Sequence, residues 1–456
     1  MTELSPETAR LRDEAQQVFL AGVSAADPHR AVKASIHSDQ QGGILIAGKE
    51  FKEPQSLFVV AIGKGGCRMA QAVVKAMTER SIDPSVFRTP GIIVVNEENA
   101  HDLDGFDVFV TGHPLPSEEG VRAAARIEEY LAPTTEADGV LLLLSGGGSA
   151  LLPAPAEGIT LADKRRVTEL LLASGADIHE LNTVRKHLSR LKGGGLAQAA
   201  SPAAMEVLIL SDVFDDDLST IASGPAVADP TTYDDAINIL KRRSAWDNAP
   251  QAVRKRFEAG ASGAIDETPK PGDSIFDRVA HRIIGSNSIS LQAAIDQARE
   301  LGYEVDTLSE PLTGEAREVA RHFADRLRAA TPSPDVPRKR AFLTGGETTV
   351  TVKGTGRGGR NQELSLALAI GLGQQPPKFL WAFLSGGTDG RDGPTDAAGG
   401  VIDALTLARG HSAGADAAHA MVENDSYEFL KASNDLLMTG GTGTNVADLQ
   451  VLLYEI

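Results

Sequence analysis

LFVVAIGKGGCRMAQA, residues 57–72, opens with six apolar residues, turns through a glycine, a lysine and two more glycines, and continues as a helical pattern. An unbroken apolar run of this length reads as a strand of a parallel sheet with helices over both faces, because a half-solvated strand would alternate. Glycines at its end let the backbone turn tightly and approach a ligand, and the helix that follows directs its first amides at an anion. The same grammar recurs at GIIVV (91–95), DVFVT (107–111), VLLLL (140–144) and EVLIL (206–210). Repeated strand–helix alternation predicts a Rossmann-like, doubly wound α/β domain with a mainly parallel sheet.

Outward from this core, residues 5–35 read as one long amphipathic helix leading into the domain. The length of 456 residues exceeds what one hydrophobic core usually organises. Residues 241–280, with KRRSAWDNAP and ETPKPGD, are polar and broken by Pro and Gly, and read as a boundary. The expected organisation is therefore two α/β/α domains: 1–240, a boundary at 241–280, and 281–456. In the last, HRIIG (281–285) reads as the first strand, TPSPDVPRKR (331–340) as a surface loop, AFLTG (341–345) and TTVTVKG (348–354) as two strands, and the sheet as mixed.

The formal charge of −18 argues against nucleic acid or an anionic membrane as partner. Cys67 is the only cysteine, which excludes an intrachain disulfide, and no apolar stretch approaches a membrane span. The N-terminal stretch lacks the apolar core of a signal peptide, so a cytoplasmic protein is expected. Monomer and homo-oligomer both stay open.

Positive charge and glycine concentrate at strand ends. In the first loop, Gly63, Gly65 and Gly66 surround Lys64, a mobile cation suited to phosphate. The spacing is not that of a Walker A loop, and Arg68 occupies the third glycine position of a dinucleotide fingerprint. The second loop, SGGGS, offers Ser145, Gly146, Gly147, Gly148 and Ser149 as a nest of amides and hydroxyls. NTVRKHLSRLKGGG (182–195) adds Asn182, Arg185, Lys186, Arg190 and Lys192, either a ligand-facing cluster or a solvated basic face. GHP (112–114) reads as a turn in preference to a catalytic base at His113. In SDVFDDDLS (211–219), Asp212 follows a strand, with Asp215, Asp216 and Asp217 close behind. Such carboxylates suit Mg²⁺, which takes one or two protein oxygens plus substrate phosphates. GGETTVTVKGTGRGGRNQE (345–363) places Glu347 in a turn between strands and Arg360 just before Asn361, a good helix N-cap. A guanidinium there is an anion clamp. Lys64 and Arg360, both in glycine loops, are expected to be exposed and to contribute little to a core. Asp389, in GTDGRDGPTDAAGG (387–400), is a further metal or hydroxyl ligand candidate.

Taken in order, GKGG, SGGGSALL, NTVRKHLSRLKGG, SDV…IASGP, GGETTVTV…GRGGRNQE, GTDGRDGPTDAAGG and TGGTGTNV resemble the class II glycerate 2-kinase family, with its C-terminal MOFRL-type domain, from about residue 10 onward. The resemblance implies transfer of phosphate from ATP to the 2-hydroxyl of D-glycerate, dependence on a divalent cation, and an active site in a cleft between domains. It implies that Lys64 and Arg360 are the functional cations, one from each wall. Asp215-Asp216 stands where the family usually has Gly-Asp, and Gly441 where it usually has Pro. Some members carry the label hydroxypyruvate reductase, so an NAD(P)H-dependent reductase is the alternative. Glu97 and Glu98 after the second strand favour that alternative, and Arg68 counts against it.

Overall fold

The computed structural model describes residues 4–38, 44–51, 56–213, 216–331, 338–373 and 375–456. Asp215 and residues 332–337 of the expected surface loop lie outside the described residues. The chain forms two compact units, Pro28–Ile284 and Met1–Asp27 with Gly285–Ile456.

In the first unit a small antiparallel sheet of β1 (Ile36–Ser38), β2 (Ile44–Ile46) and β3 (Lys49–Phe51) precedes the main one. The main sheet holds β4 (Leu57–Ile62), β5 (Gly91–Val95), β6 (Phe106–Val110), β7 (Gly139–Leu144), β8 (Ala204–Leu210) and β9 (Val279–Gly285). Its order is β6-β5-β4-β7-β8-β9, with β4 parallel to β5 and β7, β5 to β6, and β7 to β8. Counted from β4 this is 3-2-1-4-5-6, the doubly wound order, whose switch point lies between the first and fourth strands. Phe58, Val60 and Ile62 enter the core on one face, and Leu57, Val59 and Ala61 enter the core on the other. That two-sided burial is why the run is apolar throughout.

Residues 241–280 are not a linker. The helix Gln251–Ala261 buries Val253 and Phe257 in an all-helical cluster with Tyr233, Leu240, Val184 and Leu188. β9, expected to open the second domain, instead joins the edge of the first sheet beside β8. Sequence composition misleads here because the helix exposes most of its polar residues and buries few.

The second unit holds β10 (Glu304–Thr307), β11 (Leu312–Glu315), β12 (Lys339–Thr349), β13 (Leu380–Gly387), β14 (Gly399–Asp403), β15 (Leu436–Leu437) and β16 (Asp448–Glu455). β10 and β11 run parallel to β12, while β12–β16, β16–β13, β13–β14 and β14–β15 are antiparallel, so the sheet is mixed as expected. β12 passes straight through Glu347, paired to β16 as far as Gly346↔Asp448 and to β11 as far as Glu315↔Thr349. The expected strand-to-strand turn at Glu347 is thus absent, and residues 350–354 are not strand.

The expected 5–35 helix is two helices, Pro6–Ala25 and Pro28–Ser35. Pro28 lacks the amide a continuing helix would need. The first helix belongs to the second unit. Its stripe of Leu11, Ala15, Val18, Phe19 and Val23 packs with Ala294, Leu384, Val401 and Val451. Within that unit Arg12 Nη1 also reaches Asp403 (2.6 Å) and Asp435 (2.7 Å), both carboxylates being fully buried. Phe19 is itself fully buried. Phe19→Ala should therefore destabilise the second unit by about 3–5 kcal/mol. Chemical denaturation read at tryptophan, since Trp381 lies in the same unit, checks this. An unchanged midpoint would mean that the N-terminal helix is dispensable.

Candidate active site

The two glycine loops meet at the switch point, at the C-terminal ends of β4 and β7. Gly63 has φ +125°, and a Cβ there would overlap both the hydroxyl and the carbonyl oxygen of Ser145. The loops are also tied by hydrogen bonds: Lys64 N donates to Gly146 O (2.9 Å) and Gly65 N to Ser145 Oγ (2.9 Å). Gly63 N donates to Val94 O and Gly66 N to Gly63 O, both at 3.0 Å. All four amides of residues 63–66 are therefore used inside the fold. Gly63, Gly65 and Gly66 shape the turn and are not the ligand-facing donors the sequence suggests, and Ser145 is in part a structural clasp. By contrast, the amides of Gly146 and Gly147 find no acceptor among the described residues.

Lys64 is half-buried, with no hydrogen bond or ion pair for its ammonium among the described residues. Its stem and the ring of His113 converge on Gly147, which has φ +84°. The position a Cβ would take on Gly147 lies 3.0 Å from His113 Cδ2, 3.1 Å from Nε2 and 3.5 Å from Lys64 Cγ. Burial first, and the Lys64 charge second, lower the His113 pKa, so the imidazole is held neutral at pH 7. His113, read from sequence as a turn residue, thus stands over the same glycine as Lys64. Nothing in a His-Pro dipeptide announces this, because β6 and β7 are separated by β5 and β4 in the sheet and only the loops that follow them meet.

Asp212 follows β8, is exposed, and lies against Gly146, where an added Cβ would overlap its carboxylate. Asp217 is occupied by its own turn, accepting from Ser219 N and Oγ and from Thr220 Oγ1. Asp216 adopts φ +52° in the same loop. Asp389 is in the second unit and accepts from Arg391 N (2.9 Å) in a turn. Among the described residues no three acidic, histidine or cysteine side chains gather as a metal cage. One carboxylate facing a phosphate-grade loop fits Mg²⁺, which draws its remaining ligands from water and substrate.

The basic segment divides sharply. Lys186 pairs with the fully buried Asp229 (3.5 Å) and Arg190 with Glu128 (2.7 Å), so neither is turned to a ligand. Lys192, only 4% exposed, donates to Ser149 O (3.0 Å). Arg185 has no side-chain hydrogen bond or ion pair among the described residues. Ser149 Oγ meets Ser223 Oγ (2.9 Å), which donates to Asn182 Oδ1 (3.0 Å).

In the second unit Arg360 is the first residue of the helix Arg360–Gly373, and Asn361 lies inside its first turn. The helix is capped instead by Asp392, which accepts from Asn361 N (3.2 Å) and Gln362 N (2.8 Å). Burial, then the neighbouring Asp448, push the Asp392 pKa up to about 7. Arg360 is bidentate on Asp448 (2.6 and 2.8 Å) and reaches Glu347 (3.0 Å). Burial opposes the guanidinium charge, but Asp448 and Glu347 outweigh it and raise the pKa above its ordinary value. The expectation of an exposed Arg360 outside the core is therefore corrected: its partner Asp448 is fully buried.

A doubly wound sheet with a lysine and two amides that have no partner among the described residues at its switch point is the arrangement in which α/β enzymes bind phosphate groups. Residues 14–258 match the family described as a domain of unknown function, DUF4147, and residues 340–448 match the MOFRL family. The chain is 39% identical to the glycerate 2-kinase of Pyrococcus horikoshii, covering 94% of each chain. It is 37% identical to the D-glycerate 2-kinase of Thermotoga maritima, covering 96% of this chain and 97% of that one. A protein of Agrobacterium vitis named putative hydroxypyruvate reductase is 39% identical over 97% of this chain and 94% of its own. The crystal structure of the Thermotoga maritima glycerate kinase superposes with a TM-score of 0.84 at 36% identity, over 98% of this chain and 100% of that one. The chain belongs to the glycerate 2-kinase family with a C-terminal MOFRL domain.

Replacing Arg360 by Ala strands a buried carboxylate, so Arg360→Ala should cost about 3–5 kcal/mol of stability as well as activity. Adding Asp448→Asn to that variant should restore part of the melting temperature. A melting temperature unchanged by Arg360→Ala would show that the pair does not hold the fold.

Proposed function

We propose that the protein is an ATP-dependent glycerate 2-kinase that transfers the γ-phosphoryl group to the 2-hydroxyl of D-glycerate, giving 2-phosphoglycerate. The carrying observation is the Lys64 side chain, unpaired among the described residues, against Gly147, whose amide, like that of Gly146, has no acceptor among them. Phosphoryl transfer needs alignment and neutralisation of charge more than covalent chemistry. Lys64 and the two amides would neutralise the transferring group, and preorganised donors there stabilise charge that develops in the transition state. His113, next to Lys64 and favoured in its neutral form by burial, would accept the proton of the attacking hydroxyl. Asp212 would hold Mg²⁺, which would supply positive charge against the phosphate oxygens. Arg360, the other cation that the family resemblance singles out, has its plane fixed by Asp448 and Glu347 within the second unit. The relatives named glycerate 2-kinase support the reaction class.

The reductase alternative rests on the Rossmann-like strand order and the name of one relative. A dinucleotide site uses the first strand-to-helix turn to meet the pyrophosphate. Here that turn's amides are spent on Gly146, Ser145, Val94 and Gly63, which favours the kinase.

Purified protein with ATP, Mg²⁺ and D-glycerate should therefore form ADP and 2-phosphoglycerate. NADH oxidation by hydroxypyruvate with no ADP formed would sink the reading. Lys64→Ala should lower turnover on the order of a hundredfold or more, with the melting temperature held, since the ammonium carries no protein partner. Near-normal turnover would remove Lys64 from the mechanism. Chelation should abolish turnover, and Asp212→Asn should raise the Mg²⁺ concentration needed for half-maximal rate. An unchanged requirement would place the cation on other carboxylates.

A further inference from the structure

At the far end of the SGGGS loop, two residues beyond Gly147, the first unit holds a buried lysine and a half-buried arginine that no carboxylate balances. Asn182 and Arg185 stand three residues apart on the helix Ile178–His187, hence on one face. Asn182 is 4% exposed; its Oδ1 accepts from Ser223, while its Nδ2 has no hydrogen-bond partner. Lys192 is equally buried and satisfies only one of three N–H bonds, on the carbonyl of Ser149. Burial first, and the charge of Arg185 second, pull its pKa down to about 7. Arg185 is itself lowered by burial, with no counter-ion. The neighbouring cations are treated differently: Lys164 gives its ammonium to the carbonyls of Pro153 and Leu188, and Lys186 and Arg190 have carboxylates. Burying charge without a partner is costly, and so is leaving a buried amide donor unmade. Three such groups at one place are accounted for if an anion completes them.

We infer that Asn182, Arg185 and Lys192 form the subsite for the carboxylate of the hydroxy acid, the end of the substrate that does not receive phosphate. This deepens the kinase reading and rests on it for the substrate's name. The guanidinium fork of Arg185 matches the two coplanar oxygens of a carboxylate, and Asn182 Nδ2 and Lys192 Nζ supply the remaining donors. The phosphate-grade donors, Lys64 with the amides of Gly146 and Gly147, lie at the other end of the same short loop. A 2-hydroxy acid anchored by its carboxylate would thus present its adjacent hydroxyl toward Lys64 and His113.

Binding measured without turnover tests this. Asn182→Asp keeps the acceptor for Ser223 and places a negative oxygen where the anion would sit; Arg185→Gln removes the fork from a half-exposed position. Isothermal titration with D-glycerate alone should show affinity lowered about tenfold or more in each variant. Titration with ADP alone should stay within about twofold of the parent protein. In the kinase assay KM for D-glycerate should rise and KM for ATP should not, with melting temperatures confirming both variants folded. Weakened ADP binding with glycerate binding intact would overturn the inference in favour of a nucleotide phosphate site. Intact binding of both would overturn it in favour of purely structural cations. A protein that forms no ADP, yet loses D-glycerate binding in both variants, would refute the kinase reading and leave the subsite standing.

Discussion

The backbone of Gly63 runs so close to Ser145 that no side chain fits between them, and the geometry of the first unit's site follows from that approach. Two adjacent parallel strands, β4 and β7, end at the switch point, where their loops would otherwise diverge to opposite faces of the sheet. The contact holds the loops together at their base, with Lys64 N and Gly65 N bonded across it, while Val94 O and Gly63 O take the amides of Gly63 and Gly66. What remains without a partner among the described residues is the Lys64 side chain on one loop and the amides of Gly146 and Gly147 on the other. Asp212 and His113 then reach the same glycines from the ends of β8 and β6. One loop gives up its donors so that the other can present them in fixed positions, which is the preorganisation that charge stabilisation needs.

Charge is buried in the second unit by a different logic. Arg12 and Arg409 share Asp403 and Asp435, so the N-terminal helix is fastened to this unit by a network of two cations and two fully buried carboxylates. Arg360 and Asp448 form a second pair, beside Asp392 at the head of the helix Arg360–Gly373. Such networks contribute little net stability when intact, yet are costly to break singly. They make the position of Arg360 rigid, since its guanidinium plane is set by two bonds to a carboxylate that cannot move. The first unit keeps Arg185 and Lys192 without carboxylates, and the contrast separates cations that hold the fold from cations held for a ligand.

The long apolar strands, the doubly wound class and the positions of the glycine loops were legible in the sequence, because apolar runs and turn residues report local burial and local backbone geometry; β11, β14 and β15, short or glycine-rich, carry no such run. The site was legible as a set of segments. What each segment's side chains do was not. Lys186 and Arg185 are neighbours in one basic run, yet one is neutralised by Asp229, far off in sequence, and the other is not. Asn361 has the chemistry of an N-cap, but Asp392 takes the role from another loop. Gln251–Ala261 looks like linker, since the pattern of a helix that buries only one edge is weak.

From the sequence alone came the alternation of elements, the loops where chemistry would concentrate and the family resemblance; each is written in residues close together along the chain. The tertiary structure alone decided which amides have acceptors, which cations have partners, that His113 stands beside Lys64, and that the first helix and β9 belong to the units they join. Those outcomes depend on pairings between residues tens to hundreds of positions apart, and a buried charge or amide is satisfied by whatever the fold brings within hydrogen-bond distance of it.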